Sequence, residues 1–309
     1  MQHLTNVSAQ RVSWVKSNKD ELEKSYDAIK NLYYPETSCE LKELVSFFYK
    51  SNKQFDIIGY SSNTLFLPSY KIENLICTKK ITEWRETETE IICGCGVNVA
   101  KFAKDMIKKG YEGFSGLTDL PGTIASAVYG NCGCYDCSIN SILKYITFFT
   151  PSGKLLKLTA EQLKLGFRTS ALKRNELAGV IIEVVLLKKE GDSTIEIKKA
   201  ELAHAERKKN QPSAANNLGS TFNASELTLK GKVLFMLIKI ISFIFRRQEK
   251  GKIFKFIYPF IGAYKYVNYL DVWNRYMFKD ARAHKLFPSY VDFFKTIYRD
   301  AHLEIEIKR

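Results

Sequence analysis

The sequence predicts an α+β chain, and three observations carry that prediction. Short β-branched or aromatic runs recur, above all at 145–150 and 180–187. Stretches with apolar residues at helical spacing, at 40–49 and 99–109, alternate with them. No segment repeats itself. With 309 residues, 45% of them hydrophobic, the chain has length for two domains and material for a sizeable core.

The first 32 residues are polar and are expected to be helical in places, with a helix start at Asp20-Glu21-Leu22-Glu23-Lys24. Residues 40–49 then read as an amphipathic helix. Phe55-Asp56-Ile57-Ile58 reads as a strand running into the small, hydroxyl-rich loop Gly59-Tyr60-Ser61-Ser62-Asn63-Thr64. Further strands are expected at 74–77 and 90–93, and a helix at 99–109 stopped by Gly110. Residues 195–217 are charged, then rich in Asn, Ala and Ser, and read as a connector. Beyond Lys230 the chain turns basic and aromatic. It ends on the alternation Leu303-Glu304-Ile305-Glu306-Ile307-Lys308, a period-2 strand with carboxylates on one face.

The formal net charge is +14. Nucleic acid, an anionic membrane surface or an anionic small substrate would each suit it. The basic residues are mostly scattered lysines rather than arginine clusters interleaved with aromatics, so nucleic acid ranks last. The seven cysteines are an odd number, and the polar start Met1-Gln2-His3-Leu4 has no apolar signal region; reduced thiols in a cytoplasm are expected. The longest apolar run, 233–245, is interrupted by Lys239 and Ser242 and falls short of the roughly 20 residues that a membrane span needs.

The segment from Asp119 to Tyr135 is the most informative. It holds Pro121-Gly122-Thr123, Ser126 and then Asn131-Cys132-Gly133-Cys134-Tyr135. Glycine lets backbone approach a ligand closely, and the polar residues stand at fixed offsets among small ones. Backbone packed on a flat or phosphate-bearing ligand is one reading; a tight turn inside a core is the other. The loop Gly59–Thr64 offers backbone N–H groups and hydroxyls to a pyrophosphate, although it lacks the Gly-x-Gly-x-x-Gly pattern. Three later constellations are Gly166-Phe167-Arg168-Thr169-Ser170-Ala171-Leu172-Lys173, Leu218-Gly219-Ser220-Thr221-Phe222, and Glu306 in the terminal alternation.

In order and spacing these motifs resemble the UDP-N-acetylenolpyruvoylglucosamine reductase (UDP-N-acetylmuramate dehydrogenase) family, flavoproteins of peptidoglycan precursor synthesis. The resemblance runs from about Tyr34 to Lys230 and resumes from about Ser289. It implies a two-lobed FAD-binding domain of the UDP-N-acetylenolpyruvoylglucosamine reductase and vanillyl-alcohol-oxidase type, residues 1–200 with the lobes split near 80. A divergent substrate domain, 201–309, follows. It implies FAD held by Gly59, Tyr60, Ser61, Ser62, Asn63, Thr64, Pro121, Gly122, Thr123, Ser126, Asn131, Gly133, Tyr135 and Ile182. The electron donor would be NADPH or NADH and the substrate a nucleotide sugar or another glycosyl compound. The family's catalytic arginine falls on Arg168, its proton-donating serine on Ser220 and its late carboxylate on Glu306. Departures are Phe167 for a common Tyr, Asn223-Ala224-Ser225 for Lys-Asn-Pro, Ile305 for Pro and Lys308 for Arg. Between about Leu234 and Phe287 the family pattern is not recognisable, which leaves the same chemistry on another surface-polysaccharide sugar, or a flavin-binding scaffold without turnover, as alternatives.

Two features keep double readings. Cys93-Gly94-Cys95 with Cys132, Cys134 and Cys137 reads as small buried packing residues, as a metal or iron–sulfur site, or as a point of covalent flavin attachment. The comparison with the family favours packing and no metal. Residues 230–266 read as an apolar helix buried in a rebuilt domain or dimer contact, or as a lysine-rich helix resting on an anionic membrane surface.

Overall fold

The computed structural model describes residues 29–66, 71–134, 137–210, 218–244, 262–270, 274–278 and 280–308. The expected helix start at 20–24 lies outside them. The described residues divide into two compact units, one formed by 29–62 and 71–210, the other by 63–66 and the described residues from 218 onward.

In chain order the first elements are β1 (Ile29–Tyr33), α1 (Ser38–Lys50), β2 (Asp56–Ile58), β3 (Thr64–Phe66) and β4 (Ile72–Cys77). β1, β4 and β2 make a parallel three-stranded sheet of the first unit, whereas β3 belongs to the second. α1 forms where the helical periodicity predicts it. Thr37 caps it by accepting the Glu40 N–H at 3.1 Å. Its buried face, Leu41, Leu44, Val45 and Phe48, packs with Ile76, Ile81, Cys95, Phe149, Val180 and Ile182.

There follow β5 (Trp84–Glu86), β6 (Glu90–Gly94), α2 (Val99–Lys108), α3 (Ile124–Tyr129), β7 (Gly133–Cys134), β8 (Cys137–Ser138), β9 (Leu143–Phe149), β10 (Leu155–Leu158) and β11 (Val180–Leu187). Five of these strands form an antiparallel sheet in the order β10-β9-β11-β6-β5. α2 buries Val99, Phe102, Ala103, Met106 and Ile107, and Asn98 caps it through the Lys101 N–H. The strong β-branched run of β11 occupies the middle of the sheet, where both of its edges are paired.

One expectation fails here. The connector at 195–217 is, over its first part, the helix α4 (Ser193–Asn210), with 211–217 outside the described residues. Asp192 Oδ1 accepts the N–H groups of Thr194 and Ile195 and so starts it. Its Glu, Lys and Ala content favours helix, yet charge surrounds it and little but Ala200 and Glu196 is buried, so no apolar stripe announces it.

The second unit contains β12 (Phe222–Asn223), α5 (Leu229–Ile244), α6 (Ala281–Lys295), β13 (His302–Leu303) and β14 (Glu306–Lys308). β12 pairs antiparallel with β13, and β14 runs parallel to β3. The terminal alternation is therefore two short strands in separate pairings, not one strand. The core is aromatic: Phe222, Tyr266, Tyr276, Phe287, Tyr290 and Phe294 are all buried, and Phe222 stacks on Phe294 with centroids 4.0 Å apart. α6 supplies its face from Ala283, Phe287, Tyr290 and Phe294, at helical spacing.

Candidate active site

In the first unit, two segments that are some sixty residues apart in sequence meet. Gly59 lies against Thr123: a Cβ there would stand 2.7 Å from Thr123 Cγ2 and 2.8 Å from its hydroxyl. Gly122 has φ +123°, and its missing Cβ would meet Ser126 Oγ at 2.7 Å and Ser62 Oγ at 3.4 Å. Both positions require glycine, one for space and one for conformation as well. Ser61 between them also takes a positive φ, +49°. Thr123 and Ser126 close a capping box on α3: the Ser126 N–H donates to Thr123 Oγ1 at 3.2 Å and the Thr123 N–H to Ser126 Oγ at 2.9 Å. Pro121 is exposed beside them, and Tyr60 is half-buried.

A second meeting ties 129–133 to 166–170. Ser170 Oγ donates to the Tyr129 carbonyl at 2.7 Å, Asn131 Nδ2 to the Gly166 carbonyl at 2.8 Å and Arg168 Nη2 to the Gly133 carbonyl at 2.5 Å. Gly166 and Thr169 exchange backbone hydrogen bonds, which puts Phe167 and Arg168 at the tip of a tight turn. Arg168 has φ +56° and Asn131 φ +43°. Such conformations cost an L-residue energy and gather at functional sites. Phe167 is 76% exposed, with the guanidinium 5.6 Å above its ring.

Asn131 tests whether this unit suits a bound group. Its Oδ1 is buried and accepts no hydrogen bond, which is costly unless a donor arrives. The flavin ring system carries such an N–H, and the close backbone approaches at Gly59 and Gly122 suit a dinucleotide. The residues present therefore fit FAD. Tyr135 lies outside the described residues. Ile182 is buried at 4% exposure in the cluster around α1, where it packs as core.

The thiols divide by burial. Desolvation pushes Cys77 up to about 11 and Cys95 up to about 12, and raises Cys93 further. Thiols held protonated in this way are poor nucleophiles. Cys137 Sγ donates to the Gly113 carbonyl at 2.8 Å. Among the described residues no group of three or more His, Cys, Asp or Glu gathers as a metal site would.

The second unit holds Asn63, Thr64, Ser220 and Glu306. Asn63 Nδ2 donates to the Glu304 carbonyl at 3.0 Å, its own carbonyl accepts the Glu306 N–H at 2.8 Å, and Thr64 is the register partner of Glu306. Ser220 is exposed and precedes a pinned strand. The Thr221 N–H donates to the Asn274 carbonyl and the Thr221 carbonyl accepts the Glu304 N–H, both at 2.9 Å. Ser220 and Glu306 are thus carried by segments that share the anchor at 303–304. Sequence reasoning missed Asn274, whose side chain accepts the Phe222 N–H at 2.8 Å and donates to the Phe222 carbonyl at 2.6 Å, as a neighbouring strand would. It also missed Asp300, which accepts from the Ser225 hydroxyl and from the Ser225 and Glu226 N–H groups. Asn274 lies where no family motif reaches, and nothing in its neighbourhood announces either residue.

Residues 29–159 match the FAD binding domain family. A UDP-N-acetylenolpyruvoylglucosamine reductase of Clostridium botulinum is 26% identical over 204 residues, 66% of either chain. That of Lachnoclostridium phytofermentans is 30% identical over 141 residues, 46% of this chain and 45% of the relative. Over about two thirds of its length this chain is similar to UDP-N-acetylenolpyruvoylglucosamine reductases. Its match spans slightly under two thirds of the first relative's length and less than half of the second's. The fold agrees with the crystal structure of UDP-N-acetylenolpyruvylglucosamine reductase from Thermus caldophilus, with TM-score 0.65 and 19% identity over 90% of this chain and 92% of that one.

Proposed function

We propose that this chain is an FAD-dependent oxidoreductase that uses NADPH or NADH to reduce UDP-N-acetylglucosamine enolpyruvate or a closely related nucleotide sugar. The observation that supports it most is the buried, unpartnered Oδ1 of Asn131, in the unit where Gly59–Ser62 meets Gly122–Thr123. When bound, FAD supplies the hydride chemistry that the side chains lack.

The residues have separate tasks. Gly59, Ser61, Ser62 and Gly122 bring backbone N–H groups and hydroxyls to the cofactor, with the Thr123 hydroxyl and the Pro121 ring beside them. Arg168 pairs with the enolpyruvyl carboxylate through two parallel hydrogen bonds and stabilises the negative charge that grows there as the double bond is reduced. The positive φ and the Gly133 contact limit how far that guanidinium wanders. Ser220 delivers a proton to the substrate carbon next to the one that receives hydride, and Glu306 orients the substrate or the proton relay. The same reading puts the enzyme in a cytoplasm, in peripheral contact with an anionic membrane surface through residues 230–266.

Anaerobic half-reactions test it. NADPH bleaches the yellow protein, and UDP-N-acetylglucosamine enolpyruvate restores the colour. A flavin that no nicotinamide nucleotide reduces would overturn the proposal in favour of a scaffold. One observation favours a second reading, the same chemistry on another polysaccharide sugar: a third of this chain falls outside the match to the Clostridium botulinum relative. Colour restored by that sugar alone would select it.

A further inference from the structure

The second unit carries a surface that the redox reaction does not use. α5 buries Gly231, Leu234 and Ile238 on one face. Leu234 and Ile238 join the aromatic core there. On the opposite face Leu229, Val233, Met236, Leu237 and Ile240 are all exposed, from 43% at Leu237 to 78% at Leu229. At about 100° per residue these five positions fall within an arc of roughly 100°, centred about 140° around the helix from the buried three. Lys232 and Lys239 stand on one border of the arc and Lys230 on the other, all exposed. Lys230 also reaches Thr296 Oγ1 at 3.3 Å. Soluble proteins rarely leave so continuous an apolar stripe facing water without a partner for it.

The charge says which partner. From Leu229 to Lys265 the sequence holds nine Lys and Arg residues (Lys230, Lys232, Lys239, Arg246, Arg247, Lys250, Lys252, Lys255 and Lys265) against the single acid Glu249. A second copy of this chain would bring the same positive charge against itself. Nucleic acid would meet the lysines and gain nothing from the apolar stripe between them. A bilayer with anionic headgroups satisfies both features at once: the apolar side chains enter the headgroup–acyl boundary and the flanking lysines meet the headgroups. No helix among the described residues is long and apolar enough to cross a membrane, and lying in the interface requires no crossing. We infer that the exposed face of α5 docks on an anionic lipid bilayer, with Val233, Met236, Leu237 and Ile240 as the inserted residues and Lys230, Lys232 and Lys239 as the headgroup contacts. The inference stands on this face alone and not on the redox reaction.

Co-sedimentation of the full chain with vesicles tests it without turnover. Phosphatidylcholine vesicles containing phosphatidylglycerol should carry the protein down, pure phosphatidylcholine vesicles far less, and added salt should weaken the binding. Met236→Glu with Ile240→Glu should lower apparent affinity roughly a hundredfold or more. Lys232→Gln with Lys239→Gln should lower it about fivefold for each lysine. Both pairs change exposed positions, and far-UV circular dichroism verifies that each variant folds. Failure of the natural chain to sediment with the anionic vesicles would overturn the inference, as would unchanged binding by both folded variants. Loss of a solution dimer in the glutamate variant, with vesicle binding intact, would instead assign the face to self-association.

Discussion

The two units reveal themselves to different degrees, and the contrast follows from how each is held. The first is marked by residues whose own type is required where they stand. Gly59 and Gly122 sit where no side chain fits, Thr123 and Ser126 cap the helix they begin, and β11 is a run of β-branched residues in mid-sheet. The second is built around distant bonds. Phe222 is clamped by Asn274, fifty-two residues away, and Ser225 by Asp300, seventy-five away. A glycine or a helix cap marks its own position in the sequence even where, as at Gly59, the neighbour that requires it is distant; a clamp made by an ordinary Asn or Asp leaves no such mark.

The sharpest way to break this contrast is at Gly122. A valine there would be strained at φ +123° and would collide with Ser126. Gly122→Val should abolish flavin binding and cost the first unit ~2 kcal/mol or more, read from flavin absorbance and the thermal midpoint. The next effect belongs to Ser220. Ser220→Ala should slow reoxidation by the nucleotide sugar by roughly a hundredfold or more, within the usual range for a lost proton donor. Reduction by NADPH should be largely intact, and equal loss in both half-reactions would count against the role given to Ser220. Asn274→Ala comes third. It strands the Phe222 N–H and carbonyl and should cost ~2 kcal/mol in urea unfolding followed by the tyrosine signal. Flavin content at low urea should hold.

The smallest effect is acid dependence. The Ser225 hydroxyl, followed by the Glu226 and Ser225 N–H groups, holds the Asp300 carboxyl at about 2, down from 3.8. A depressed folded-state value means that this stabilisation is present above 3.8 and disappears as pH falls towards 2. Asp300→Asn should flatten the loss of stability across that interval, measured by acid titration of the unfolding midpoint.

How much was legible follows the same division. α1, α2, the mid-sheet strands and the apolar run at 233–245 announce themselves by periodicity or β-branching. β10 is short and mostly exposed, and so carries no alternating signature. α4 is charged all round, and its one deeply buried carboxyl, Glu196, pairs with Lys199 one turn on rather than marking an apolar face. The terminal alternation was visible, but its division between β13 and β14 depends on partners at Phe222 and Thr64 that no local pattern names. In the candidate site, Gly59, Gly122, Asn131 and Arg168 stand in motifs that the sequence shows. The bonds that pin the strand after Ser220 were not legible, because an asparagine standing in for a strand looks like any other asparagine.

The account rests on the first unit's holding FAD between the Gly59 and Gly122 segments, with Asn131 meeting the ring. The most direct measurement is flavin content after purification, repeated on apo-protein titrated with FAD by calorimetry, for the natural chain and for Asn131→Leu. The account predicts bound, acid-releasable FAD in the natural chain and affinity weakened about tenfold or more in the variant, as one lost buried hydrogen bond implies. A natural chain that is colourless and takes up no FAD would contradict it, as would an Asn131→Leu variant that folds and binds FAD as tightly as before.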